Sequence, residues 1–250
     1  MKSLESWHSE IMAHMKGSGL INLSEYKNNG TSIFITFTDI TRSKRSLKEF
    51  DCSDFKHADD FNFISQDLIY SISILELLHP KINNALKENG TYHQNLEDHM
   101  YLRYASYSLQ TIYSFWDRIG DFLDFFFDTK QKGDVYLSRV LDRFPQNFRS
   151  TTYDELLDLY KVKVLPVVTE RHLTVHTFTL KAKFYWGVIE HGGRNYEKLE
   201  ALQKEKDSYP SLFREQLNYM FNGFTLALKL VSELPDNLPN SKDAVPIITE

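Results

Sequence analysis

The chain has 250 residues, a formal net charge of −5, a single cysteine and an aromatic share of 14%, with 18 Phe and 14 Tyr. This length buries a substantial core as one domain, or as one domain with an extension. One cysteine excludes an internal disulfide and a cysteine zinc cluster, and the mild acidity excludes a protein that coats nucleic acid through a broad basic surface.

The opening MKSLESWHSEIMAHMKGSG lacks the apolar centre of a signal peptide, and no apolar run is long enough to span a bilayer, so the chain reads as cytoplasmic with no membrane partner. Residues 1–60 read as an N-terminal extension. Residues 4–15 suit a short helix, stopped by Gly17-Ser18-Gly19. Two β-prone runs, residues 20–26 and 32–38, flank Asn28-Asn29-Gly30 and predict a β-hairpin that must pack on helices or on a partner. Residues 41–60 are polar and charged and read as a loop.

From 61 to 234 the periodicity is helical. Ile64, Leu68, Ile72, Leu75 and Leu78 share one face, ended by Pro80, and Gly90 stops the next run. Residues 95–128 form the longest predicted helix, with Leu102, Leu109, Ile112, Ile119, Phe122 and Phe126 as core. Its end, 115–127, is apolar nearly all round. That predicts central burial or a subunit interface, and hence a homodimer.

Short helices follow over 134–144, before Pro145, and over 153–165, with Thr151 or Thr152 as N-cap. Segment 166–191 ends at Gly192-Gly193. Residues 195–206 are charged all round and read as solvated, so Lys206 is expected to be dispensable. Residues 208–234 form the last helix, with Pro210 in its first turn and Leu212, Leu217, Phe221, Phe224 and Leu228 facing inward. Residues 235–250, with Pro235, Pro239 and Pro246, read as a flexible tail. The fold class is mainly all-α: a helical bundle over 61–234 with a small N-terminal hairpin extension.

The chemistry concentrates in Arg171-His172-Leu173-Thr174-Val175-His176. Arginine is a permanent cation whose forked donors match phosphate oxygens, and histidine exchanges protons near neutral pH. Together they suit phosphodiester cleavage. Between residues 159 and 185 stand Lys161, Lys163, Arg171, Lys181 and Lys183 against Glu170 alone, so this face suits an anion.

Arg171-x4-His176, with polar His172 after the arginine, resembles the Rx4-6H motif of HEPN domains (higher eukaryotes and prokaryotes nucleotide-binding). The resemblance covers roughly residues 61–234. It implies a helical bundle that acts as a metal-independent endoribonuclease without cofactors. Arg171 and His176 match the catalytic pair and His172 the polar position. It also implies homodimerisation that joins two motifs into one site, an RNA substrate, and a toxin or defence role with an antitoxin protein as partner. Lys181 and Lys183 are candidate phosphate contacts, and Asp117 is a candidate to orient His176. The competing reading is a non-catalytic helical module that binds nucleotide, RNA or protein.

Residues five apart on an unbroken helix point about 140° apart, so Arg171 and His176 need a helix break, with Thr169 capping a new start, or a second subunit. His172 and His176, four apart, also have metal-ligand spacing, but no glutamate follows His172 as in zinc-protease helices. Asp117, Asp121, Asp124 and Asp128 form an acidic stripe that reads as a solvated or ion-paired face. His191-Gly192-Gly193-Arg194 reads as a helix end rather than a phosphate loop, and Cys52 shows no sign of activation.

Overall fold

The computed structural model describes residues 4–44, 52–84, 86, 93–127, 129, 135–177 and 179–236, with the side chains of 52–58 excepted. Among the described residues the fold is mainly α-helical with one small antiparallel strand pair. The helices are α1 (Leu4–Gly17), α2 (Ile33–Lys44), α3 (Cys52–Leu78), α4 (Leu96–Phe127), α5 (Leu137–Asp142), α6 (Thr151–Leu159), α7 (Leu165–His176), α8 (Leu180–His191) and α9 (Tyr196–Ser232). A π-helical stretch, Tyr160–Val164, runs from α6 into α7. The expected elements at Gly90, Asp128, Asp134, Pro239 and Pro246 lie outside the described residues.

The hairpin is far smaller than the sequence predicts. Strands β1 (Lys27–Asn28) and β2 (Thr31–Ser32) pair around Asn29 and Gly30, whose φ values of 51° and 83° make the left-handed turn that the Asn-Gly signal calls for. The run after it, Ile33 to Thr38, is helix. Ile33, Phe37, Thr41 and Lys44 are buried at helical spacing, while Ile35, which a strand would bury with them, is 55% exposed. The threonines Thr36, Thr38 and Thr41 return hydrogen bonds to the carbonyls of Ser32, Phe34 and Phe37, so β-branching is accommodated. Packing of Phe37 on Phe122 and Phe224 overrides local β-preference. The described part of the expected 41–60 loop is likewise all helix, the end of α2 and the start of α3.

α4 is the axis of the bundle. It touches α3, α5, α7, α8 and α9. Most of its apolar end is buried inside the chain, through Phe115, Trp116, Ile119, Phe122, Leu123 and Phe127, while Phe125 stays 47% exposed. The surplus that suggested a subunit interface therefore packs against α3, α5 and α9. Gly223 on α9 gives Trp116 room, since a Cβ there would stand 2.2 Å from the indole. The described N-terminal residues share this core through Ile11, Leu23, Ile33 and Phe37. α1 is tied down by Glu76 of α3, which holds Arg214 Nη2 at 2.9 Å and His14 Nε2 at 2.7 Å.

Three further expectations change. Ser150, not Thr151 or Thr152, caps α6, accepting from the amide of Tyr153 at 3.4 Å. Residues 196–232 are one helix of 37 residues, so Pro210 lies inside it rather than in a first turn. Residues 195–206 are not uniformly solvated: Leu199, Gln203 and Lys206 are buried, and Lys206 pairs with the fully buried Asp98. Lys206 also donates to the carbonyl of Asn83 at 3.0 Å, tying α9 to the segment between α3 and α4.

Candidate functional site

The motif lies on α7 where it crosses α4. Helix α4 presents Gln110, Tyr113 and Asp117 along one edge, at the spacing that aligns side chains on one helix face. Helix α7 presents Arg171, His172 and His176. Gly120 lets α5 come close beside them, since a Cβ there would sit 2.9 Å from the backbone nitrogen of Leu137.

Arg171 is held on three sides. Its Nε donates to Oε1 of Gln110 at 2.9 Å. Its Cζ stands 4.1 Å from the centre of the Tyr113 ring, a cation–π contact. Its Nη1 is 3.5 Å from Nδ1 of His172. The His172 ring meets Tyr113 edge-on at 5.5 Å and 78°, and stacks on His176 at 6.0 Å and 16°. A guanidinium, a phenol and two imidazoles thus form one continuous surface. Arg171 is half-buried, and both histidines are exposed.

The electrostatics follow from this geometry. Burial, then the nearby charges of Arg171 and His176, holds the His172 imidazole below its ordinary 6.5. It is therefore largely neutral at pH 7, and its Nδ1 can accept from Arg171. Burial, then the hydrogen bond and charge of Asp117, pushes the Tyr113 hydroxyl well above its usual range, so Tyr113 stays protonated and donates to Asp117. Burial raises the Asp117 carboxyl from 3.8 to about 6; Tyr113, the Leu137 amide and Arg171 pull it back, and Asp121 adds repulsion.

Helix α7 is unbroken from Leu165 to His176, and Thr169 bonds back to Leu165 at 2.8 Å within it rather than capping a new start. Within the motif the guanidinium therefore meets His172, and His176 joins through the stacked ring. Asp117 binds Tyr113 and the first amide of α5; among the described residues no hydrogen bond links it to His176. Lys183 is bound to Glu170 at 2.8 Å and to Glu205, which hold its ammonium charged against burial. Lys181 is exposed, as are Lys161 and Lys163.

The remaining motifs resolve simply. Asp121 pairs with Arg118 at 2.9 Å, and Asp124 accepts from the amide of Thr129 at 3.1 Å. Gly192 closes α8, its amide bonding Val188 at 2.7 Å. Among the described residues no three His, Cys, Asp or Glu side chains gather as metal ligands, and no helix is long and apolar enough to cross a membrane. The side chain of Cys52 lies outside the described residues.

Sequence reasoning missed Gln110 and Tyr113. The signal was present as a polar i, i+3, i+7 line ending at Asp117, but only the crossing with α7 gives it meaning. No family model, curated protein or solved structure matches the chain.

Proposed function

We propose that the chain is a HEPN-like, metal-independent endoribonuclease. The observation that supports this most directly is the Arg171 guanidinium held by Gln110 and Tyr113 beside the stacked His172–His176 pair. In this reading the ribose 2′-oxygen attacks the adjacent phosphorus and the 5′-oxygen leaves. His176, the more exposed of the two motif ends, moves the proton. Arg171 stabilises the charge that builds on the non-bridging oxygens. Neutral His172 accepts from Arg171 and keeps the guanidinium turned toward the phosphate.

A homodimer belongs to the same proposal, because the five-residue spacing turns Arg171 and His176 apart within one α7 and a second motif would supply the complementary group. So do a cytoplasmic toxin or defence role and an antitoxin partner.

The test is direct. Purified protein with EDTA present should cut single-stranded RNA and leave a 2′,3′-cyclic phosphate, and should leave DNA of the same sequence intact, since DNA lacks the attacking hydroxyl. Binding of RNA without cleavage would replace this reading with the non-catalytic module. Light scattering at micromolar concentration tests the dimer.

A further inference from the structure

Beyond the α4–α7 crossing, α8 and the first half of α9 form a helical hairpin with its own small core of Val188 and Leu199, joined by Leu86 and Leu202. The buried face of α8 carries Leu180, Phe184 and Val188. The other face is wet and aromatic: Trp186 is 59% exposed, and Tyr185 stands edge-to-face with it at 5.3 Å and 79°. The chain's own packing does not use this indole, whereas Trp116 is buried in the main core.

Beside Trp186 runs an open groove of about 750 Å³, lined by Ala182, Gly187, Ala201 and Leu202. This volume falls in the range of small-ligand sites. The small side chains leave space next to the indole. At Gly187 the helices touch, since a Cβ there would stand 2.8 Å from Leu202 Cδ2. The polar residues of the groove are unevenly committed. Lys183 is shared between Glu170 and Glu205. Lys198 and Glu190 also line the groove, and neither makes an ion pair among the described residues. His191 stands near them.

A flat apolar wall, a free carboxylate and a free ammonium in one groove match the three parts of a nucleotide. An indole stacks on any base, a carboxylate accepts from the exocyclic amino groups of adenine or cytosine, and an ammonium meets a phosphate. We infer that the Trp186 groove is a base-binding subsite for single-stranded RNA, with Trp186 stacking the base, Glu190 accepting from its amino edge and Lys198 contacting the backbone. The groove adjoins the motif, because Lys183 in its wall is bonded to Glu170, the residue before Arg171. The inference rests on the ribonuclease reading for the identity of the strand, but its binding test does not depend on cleavage.

The probes are the four ribonucleoside 5′-monophosphates and a short single-stranded RNA, followed by tryptophan fluorescence. Wild type should show saturable quenching that is lost in Trp186→Ala and largely kept in Trp186→Phe with RNA affinity as readout. Trp186→Ala should weaken RNA binding roughly fivefold to a hundredfold, the range for removing one stacking platform. Glu190→Ala should weaken AMP and CMP more than UMP. Lys204→Ala, at an exposed residue outside the groove lining, should bind like wild type. Because Trp186 is mostly exposed, circular dichroism should be unchanged. Equal RNA affinity in wild type and Trp186→Ala overturns the inference, and so does a change confined to self-association in sedimentation, which would make the groove a protein contact. Binding through Trp186 without cleavage would keep the subsite and reject the catalytic proposal; cleavage with a KM indifferent to Trp186→Ala would do the reverse.

Discussion

The hydroxyl of Tyr101 donates to the main-chain carbonyl of Lys206 across 2.7 Å. In an α-helix that carbonyl would accept from the amide of residue 210, which is Pro210 and has none. A side chain from α4 thus fills the gap that proline leaves in α9, and a 37-residue helix continues through a residue that ordinarily stops one. Both Tyr101 and Lys206 are buried, so water cannot substitute. Tyr101→Phe should destabilise by about 1–3 kcal/mol, the cost of leaving a buried carbonyl unsatisfied. Adding Pro210→Ala should recover most of that loss in urea denaturation. A Tyr101→Phe variant as stable as wild type would contradict the account.

The Lys206 side chain carries a second prediction. It is 2% exposed and its ammonium meets Asp98, which is fully buried. Lys206→Ala should cost about 3–5 kcal/mol, because it strands a buried carboxylate. Equilibrium unfolding measures this, and Lys204→Ala, two residues earlier and solvent-exposed, is the control expected to stay within about 0.5 kcal/mol.

Gly223→Ala tests the core where α9 passes α4. The new methyl would overlap the Trp116 ring, which is walled in by Phe115 and Tyr160. Overpacking of this kind typically costs about 1–3 kcal/mol. The near-ultraviolet circular dichroism of Trp116 should change with it, while the far-ultraviolet spectrum should not.

At the proposed site, Arg171→Ala and His176→Ala should each lower RNA cleavage by roughly a hundredfold or more, with melting temperature nearly intact. Their combination should fall far short of the product of the two effects if they act as a unit. Tyr113 separates ring from hydroxyl: Tyr113→Phe keeps the face under Arg171 and should retain most activity, whereas Tyr113→Ala should approach Arg171→Ala. Equal activity in all of these variants would remove the site from consideration.

Asp117 gives a pH prediction. Its folded-state carboxyl is raised from 3.8 to about 6, so the folded chain binds that proton more tightly than the unfolded chain. The stabilising contribution is complete below pH 3.8 and is lost as pH rises through about 6. Asp117→Asn should remove this dependence, raising the melting temperature relative to wild type more at pH 7.5 than at pH 5. The opposite slope would show that Arg171 and Tyr113 outweigh burial.

Much of the bundle was legible in the sequence. The repeat of Leu68, Ile72, Leu75 and Leu78 and the long stripe of α4 determine helices by themselves, because helical period places these side chains on one face and burial of that face is the dominant gain. Asn29-Gly30 likewise determined its turn through local backbone preference alone. The run from Ile33 to Thr38 was not decided locally. Its β-branched residues tolerate both states, and contact with Phe122 and Phe224 selects the helix. Arg171, His172 and His176 could be named from spacing. Gln110 and Tyr113 could not, since 61 residues separate Gln110 from the arginine it holds. Lys206 reads as a surface charge until the fold brings Asp98 to it from 108 residues away. Local periodicity and turn chemistry act within a few residues and are written in the chain; the pairing of polar groups that leave water depends on which helices cross, and only the tertiary structure decides that.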